Sequence, residues 1–325
     1  MARIKIDYGI DLGTTNSAIA RMENGESIIK KSEGYQKDTT PSCDHFNKKK
    51  TLFVGDKAYS ILGKEAILSF KKNDTSLLNT FIEFKRTMGT DVKYKSKNMG
   101  KSFSSEELSA EVLKALKSYV RDEEINSVVI TVPAKFQGYQ KDATKKSAEL
   151  AGFQHCILLQ EPLAASMAYG VDAQTIDGKW LVFDFGGGTF DVALMKANEG
   201  IMKVVDTEGD NHLGGKNLDL AIVDEIIMPY LEDNYSIANI LANDERKRLL
   251  RNAVKRIAEE LKINMSLAEK IQYDILTEES LGEDDEGEEI EIDLCVTREQ
   301  YENVVKPIFQ RSIDISQKLL KNNNL

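Results

Sequence analysis

The stretch WLVFDFGGGTFDVALMK, Trp180 to Lys196, and its shorter echo YGIDLGTTNSAIARM, Tyr8 to Met22, constrain the fold more than any other feature of the chain. Each runs as an apolar strand ending in an aspartate (Asp11, Asp184) and a glycine turn with threonine (Gly13, Thr14, Thr15; Gly186, Gly187, Gly188, Thr189). A second apolar strand follows, so one hairpin is used twice. Glycine in such a turn is expected to allow backbone angles other residues avoid and to let N–H groups converge on an anion. Phosphate is the expected ligand. A carboxylate beside phosphate repels it unless a hard cation lies between, which makes Mg²⁺ the expected companion. Neither turn is a GxxxxGK[ST] loop, and GGGT leads into a strand, so the dinucleotide fingerprint is absent too.

With 325 residues and 41% hydrophobic content, the chain can bury a core in each of two lobes. The net charge of −10 comes from one place, since Glu278 to Asp293 holds ten acidic residues and no basic one. The remainder is neutral on balance and carries no basic stripe, which argues against a nucleic-acid partner. Cys43, Cys156 and Cys295 are widely spaced, as are His45, His155 and His212, so neither a disulfide framework nor a zinc site is expected. The N-terminal MARIKIDYGI is too charged for a signal peptide, and no apolar run approaches the ~20 residues that span a bilayer. A cytoplasmic protein with no membrane partner is the expectation.

Along the chain, Phe46 to Gly100 reads as a small inserted subdomain. Ser104 with Glu107 forms a capping box for a helix running to about Asp122. The uninterrupted VVITV of Ser127 to Val132 predicts a strand buried on both faces. A helix over Gln140–Leu150, a strand over Cys156–Leu159 and a helix over Leu163–Tyr169 complete an α/β lobe. Gly170 to Gly178 links this lobe to the second hairpin. Gly214 and Gly215 open a helix and serve either as amide donors to a phosphate or as a hinge. Asn243 caps a long helix with Leu250, Val254, Ile257 and Leu261 on one face and a charged, solvated opposite face. Glu278 to Asp293 is expected to be the solvated tip of a hairpin. Thr297 and Gln300 start the last helix.

The motifs DLGTTNS, ITVPAKF, LLQEPLAASMAYG and FDFGGGTFD, in this order, closely resemble the nucleotide-binding domain of heat-shock protein 70 chaperones, within the actin and sugar-kinase superfamily. The resemblance implies an α/β, actin-like (ribonuclease H-like), two-lobed ATPase with mixed sheets flanked by helices. Lobe one would span about 1–172, with an insert at about 42–102. Lobe two would span 173–325, with a subdomain at about 216–296. It implies ATP or ADP with Mg²⁺ between the lobes. Thr14, Thr15, Asn16, Gly187, Gly188 and Thr189 would hold phosphates, with Gly13, Gly186, Gly214 and Gly215 in support. Asp11 and Asp184 would orient the metal through its waters. Lys85 would stabilise charge on the transferred phosphoryl group, and Glu161, Asp191 and Thr189 would position the attacking water. By residue type alone, Lys85 belongs to a solvated helix face, Pro133 is a strand terminator and Glu161 is a charge at a helix start.

The chain departs from the family pattern in two places. Lys141 stands where an arginine is usual after Pro133, losing the bidentate fork. Lys255, Arg256, Ala258 and Glu259 break the pattern that covers adenine. The resemblance also implies a further strand and turn after the last helix, whereas this chain runs to KNNNL. The expectation is a shortened domain with weak nucleotide affinity and an exposed apolar edge in lobe two. Expected partners are nucleotide, co-chaperone and exchange factors, and, through a domain not present here, unfolded polypeptide. A gated nucleotide-binding module with little hydrolysis and a sugar-kinase-like phosphotransferase are the competing readings.

Overall fold

The computed structural model describes residues 6–32, 34–168, 178–198, 201–267 and 269–325. Residues 170–177 of the expected inter-lobe link lie outside them. Both halves start the same way. Tyr8–Asp11, Asn16–Glu23 and Glu26–Lys30 form an antiparallel meander, as do Gly178–Phe185, Phe190–Asn198 and Ile201–Asp210. The hairpin used twice is therefore a three-stranded unit used twice.

The halves differ in what flanks the unit. In the first lobe, Ser127–Val132 pairs in parallel with Tyr8–Asp11, and His155–Gln160 pairs in parallel with Ser127–Val132. In the second, the sheet has three strands among the described residues and Gly178–Phe185 is an edge of it, with Leu181 40% and Phe183 47% exposed. The expected exposed apolar edge is present there. Such an edge is a template for pairing.

The helices follow their sequence signals. Ser104 accepts from the Glu107 N–H while the Glu107 side chain accepts from the Ser104 N–H, starting the helix Ser105–Lys117. It stops short of the expected Asp122, although Val120 remains buried. Gly138–Leu150 ends with Gly152 in the left-handed region at φ 83°, where its lack of a Cβ removes the steric penalty. Ser127–Val132 departs from the expectation of two buried faces. Val128, Ile130 and Val132 are buried while Ser127, Val129 and Thr131 are only half-buried, because Thr131 opens on a cavity.

Each lobe has its own core, and the insert reaches into the second one with Phe70, Ile67 and Leu78. Phe70, on the helix Asp56–Lys72 of the insert, packs among Leu249, Leu250 and Leu281 of the second lobe. The acidic segment is part of this junction, and only Glu286 to Glu289 make the expected solvated tip. Asp284 is buried and accepts from the N–H groups of Ser236, Glu286 and Glu288 at 3.0, 2.9 and 2.9 Å. Leu281, Ile290 and Ile292 are buried beside it, and Gly282 lies so near Phe70 that a Cβ would sit 2.9 Å from the ring. Three apolar residues in a strongly acidic run were enough to anchor it.

The helix Asp244–Met265 is capped by Asn243 as expected, with Leu250, Val254 and Leu261 inward. Its charged face is solvated only in part: Lys247, Arg248 and Glu260 are exposed, while other residues are engaged. The Tyr59 hydroxyl donates to Glu259, Arg256 lies over the Tyr59 ring, and Lys262 pairs with Asp219 at 2.7 Å. Among the described residues, no helix is long and apolar enough to cross a membrane.

Candidate active site

The first turn is locked from within. A Cβ on Gly13 would stand 2.0 Å from the Asn16 carbonyl oxygen, so only glycine fits. The Gly13 N–H donates to Ser17 Oγ at 3.1 Å, and Ser42 Oγ donates to the Gly13 carbonyl at 2.8 Å. Asp11, at the strand end, accepts from Thr131 Oγ1 at 2.8 Å.

The second turn is locked from across the cleft. A Cβ on Gly187 would lie 1.8 Å from Thr15 Oγ1, and one on Gly188 would lie 2.9 Å from Thr14 Cγ2. The two hairpin tips abut. Glycine was expected here for its backbone freedom, but neither turn places these glycines in the left-handed region. Close approach is what requires them.

Gly214 and Gly215 do not offer their amides to a ligand. The Gly215 N–H is spent on Gly186 O at 2.9 Å and the Gly214 N–H on Asn217 Oδ1 at 3.0 Å. These glycines buttress the second turn, since a Cβ on Gly214 would meet Gly186 O at 2.7 Å. Neither the amide-donor nor the hinge reading describes that contact.

Between the hairpins lies a cavity of about 470 Å³. Its walls bring together Asp11, Gly13, Thr14, Thr15 and Asn16 from one turn, Asp184, Gly186, Gly187 and Thr189 from the other, and Lys85 and Glu161. Asp191 stands behind the wall, directly opposite Asp184 in the ladder and only 4% exposed. Gly188, Gly214 and Gly215 also lie outside the lining.

Charge in this cavity is unbalanced. Lys85 is buried and pairs with Glu161 at 2.8 Å. Burial works against its ammonium, but Glu161, Asp11 and Asp191 outweigh burial and raise its pKa. Burial raises the carboxyls of Glu161 and Asp184, with Asp11 adding to both and Lys85 opposing. Asp191 is pushed up to about 7, by burial first and then by Glu161 and Asp184. Four carboxylates face one lysine, and like charges opposite each other in a ladder are destabilising.

That excess negative charge fits a hard divalent cation. Among the described residues, no three His, Cys, Asp or Glu side chains converge closely enough to ligate a metal directly. Mg²⁺ keeps most of its water, so Asp11 and Asp184 suit outer contacts to a hydrated ion.

Sequence reasoning missed Thr131 and the small residues Ala164, Ala165 and Ala168, which line the same cavity. A signal existed for both. Thr131 is the one polar residue in VVITV, at the end of a strand beside Asp11, and PLAASMA is a run of small side chains on one helix. The Pro133 ring is buried just past the strand end. Two residues on, Lys135 reaches Glu208 of the second lobe at 2.7 Å.

The family model described as Hsp70 protein matches residues 7–325. The chain belongs to that family, and its fold is the actin-like ATPase fold of an Hsp70-type nucleotide-binding domain.

Proposed function

We propose that this Hsp70-family chain binds Mg²⁺-ATP between its hairpins and transfers the γ-phosphoryl group to water. The observation that carries the reading is the convergence of two glycine turns, three carboxylates and one buried lysine on a single cavity, with a fourth carboxylate, Asp191, behind its wall. Phosphoryl transfer to water asks mainly for positioning and electrostatics. Thr14, Thr15, Asn16, Gly187 and Thr189 would hold phosphate oxygens. Asp11 and Asp184 would hold hydrated Mg²⁺, which supplies charge neutralisation to the phosphates when bound.

Lys85 would face the developing charge on the transferred group, and its pairing with Glu161 keeps it charged and aimed. Glu161 and Thr189 would orient the attacking water. Asp191, with a carboxyl near neutrality, is suited to take a proton from it. Co-chaperones, exchange partners and unfolded polypeptide, in a cytoplasmic setting, follow as the family's usual context.

The test is single-turnover hydrolysis of Mg²⁺-ATP by the parent and by Lys85→Ala. A contact made in the transition state should cost ~10² or more in rate with little change in affinity. An equal rate in the variant returns Lys85 to a structural ion pair. Binding without turnover in the parent selects the gated-module reading instead.

A further inference from the structure

Glu83 stands two residues before Lys85, at the head of the short turn Phe84–Thr87, with its backbone left-handed at φ 62°. Glutamate rarely adopts that conformation, because its Cβ crowds the following carbonyl. Something must hold it there, and the contacts of its carboxylate identify what. Glu83 Oε1 accepts from Lys216 and, at 3.1 Å, from Lys255. Glu83 Oε2 accepts from Arg86 at 3.1 Å, and Arg86 donates its other nitrogen to His212 Nδ1 at 2.9 Å.

Glu83 and Arg86 belong to the first lobe, and Lys216, Lys255 and His212 to the second. Lys85 lies between Glu83 and Arg86 on the turn, so the catalytic candidate is bracketed on both sides by contacts across the cleft. Arg86 also touches the second hairpin, its Cδ 3.2 Å from where a Cβ on Gly188 would stand.

Glu83, Lys216 and Lys255 line a second cavity of about 250 Å³, which shares Thr14 and Thr15 with the first. Lys216 is 8% exposed. Burial pushes its ammonium down to about 8, with Lys255 adding and Glu83 opposing. Burial would raise the Glu83 carboxyl, yet Lys216 and Lys255 hold it down at about 2. Both partners are thus charged at neutral pH, and removing one leaves a buried charge without its counterion.

We propose that Glu83 is a positioning residue that couples lobe closure to the placement of Lys85, gripping Lys216 and Lys255 when the lobes are shut. Opening withdraws those lysines, the strained backbone at Glu83 loses its support, and the turn carrying Lys85 relaxes. The proposal rests on the reading that the cleft between the hairpins holds the nucleotide.

Two measurements keep the proposal and that reading distinguishable. The first is the inter-lobe distance in nucleotide-free protein, from fluorophores on the Ser105–Lys117 helix and the Arg298–Asn322 helix. The second is the release rate of a fluorescent ADP together with the single-turnover rate. Glu83→Gln keeps the shape and loses the charge. It should lengthen the distance, speed release and slow turnover, each rate by on the order of tenfold for the loss of a charge-assisted contact.

Glu83→Gly relieves the backbone and also loses the carboxylate, so it should behave like Glu83→Gln. Glu83→Asp, which tolerates the left-handed region better, should recover part of the parent rates. Parent-like distance and release in both Glu83→Gln and Glu83→Gly overturn the proposal, as does a Glu83→Gly that matches the parent while Glu83→Gln does not. If the parent binds no nucleotide, the reading of the cleft fails, and the distance decides the clamp alone.

Discussion

The two hairpins share a sequence plan and differ in what their aspartates face. Asp11 sits opposite Ala18, takes a hydrogen bond from Thr131, and belongs to a strand paired on both sides. Asp184 sits opposite another aspartate, on a strand that forms the edge of its sheet. The first hairpin is therefore the settled support, its aspartate tied by a hydrogen bond and opposite no charge in its ladder. The second sets two carboxyls against each other, relieved only in part by Lys85, with Asp184 and Asp191 both raised. A repeated motif can cradle phosphate symmetrically while its proton chemistry sits on one side.

The glycines offer the sharpest way to break the comparison. Gly13→Ala places a methyl against the backbone of its own turn, 2.0 Å from Asn16 O, and no other side chain can yield to admit it. Gly187→Ala places one against Thr15 Oγ1 at 1.8 Å, across the cleft. Both should cut ATP turnover by ~10² or more, since misplacement by about 1 Å costs that much. Only Gly187→Ala should be rescued in part by Thr15→Gly, read as the thermal midpoint of the nucleotide-free protein because Thr15 itself belongs to the phosphate site. Rescue of both, or of neither, would mean that the tips do not meet as described.

The proton asymmetry predicts the next effect. Asp191 is protonated below about 7 and ionised above it. Turnover should rise with pH through that region and then level, while Asp191→Asn should be slow and flat across it. Bound Mg²⁺ would move the midpoint down by favouring the ionised form. The linkage to stability has the opposite sense. With its folded carboxyl raised above the ordinary 3.8, Asp191 makes the nucleotide-free protein less stable as pH climbs toward 7. Asp191→Asn should reduce that loss. Thermal midpoints across pH, parent against variant, measure it, and matching slopes would remove Asp191 from the account.

The smallest effect belongs to the settled side. Thr131→Val removes one hydrogen bond to Asp11 and keeps the shape, at a cost of about 0.5–1.5 kcal/mol. Nucleotide affinity should fall by a few-fold, as read by competition binding. A loss of ~10² would show that Asp11 depends on its support far more than one hydrogen bond allows.

How much of this was legible depended on how local each interaction is. The strand, aspartate and glycine turn are neighbours in sequence, so both hairpins could be read, as could the capping boxes at Ser104 and Thr297. The glycines' purpose could not, because it lies in Thr14 and Thr15 meeting Gly188 and Gly187 across more than 170 positions. The charged face of Asp244–Met265 looked solvated because nothing near it in sequence announces Tyr59 or Glu83. Glu278–Asp293 looked like a hairpin tip because charge outweighs Leu281, Ile290 and Ile292 in composition, though not in burial. Glu83 gave no signal, since a left-handed glutamate is set by partners on two distant helices.

The central claim is that one Mg²⁺-nucleotide is shared between the two hairpins, and calorimetric titration of ADP with and without Mg²⁺ tests it most directly. The parent should bind ADP with an affinity that falls when Mg²⁺ is chelated. Asp11→Asn and Asp184→Asn should each abolish that dependence while leaving a weak, Mg²⁺-independent remainder. If both variants bind ADP as tightly as the parent, with the same response to Mg²⁺, the shared site is wrong.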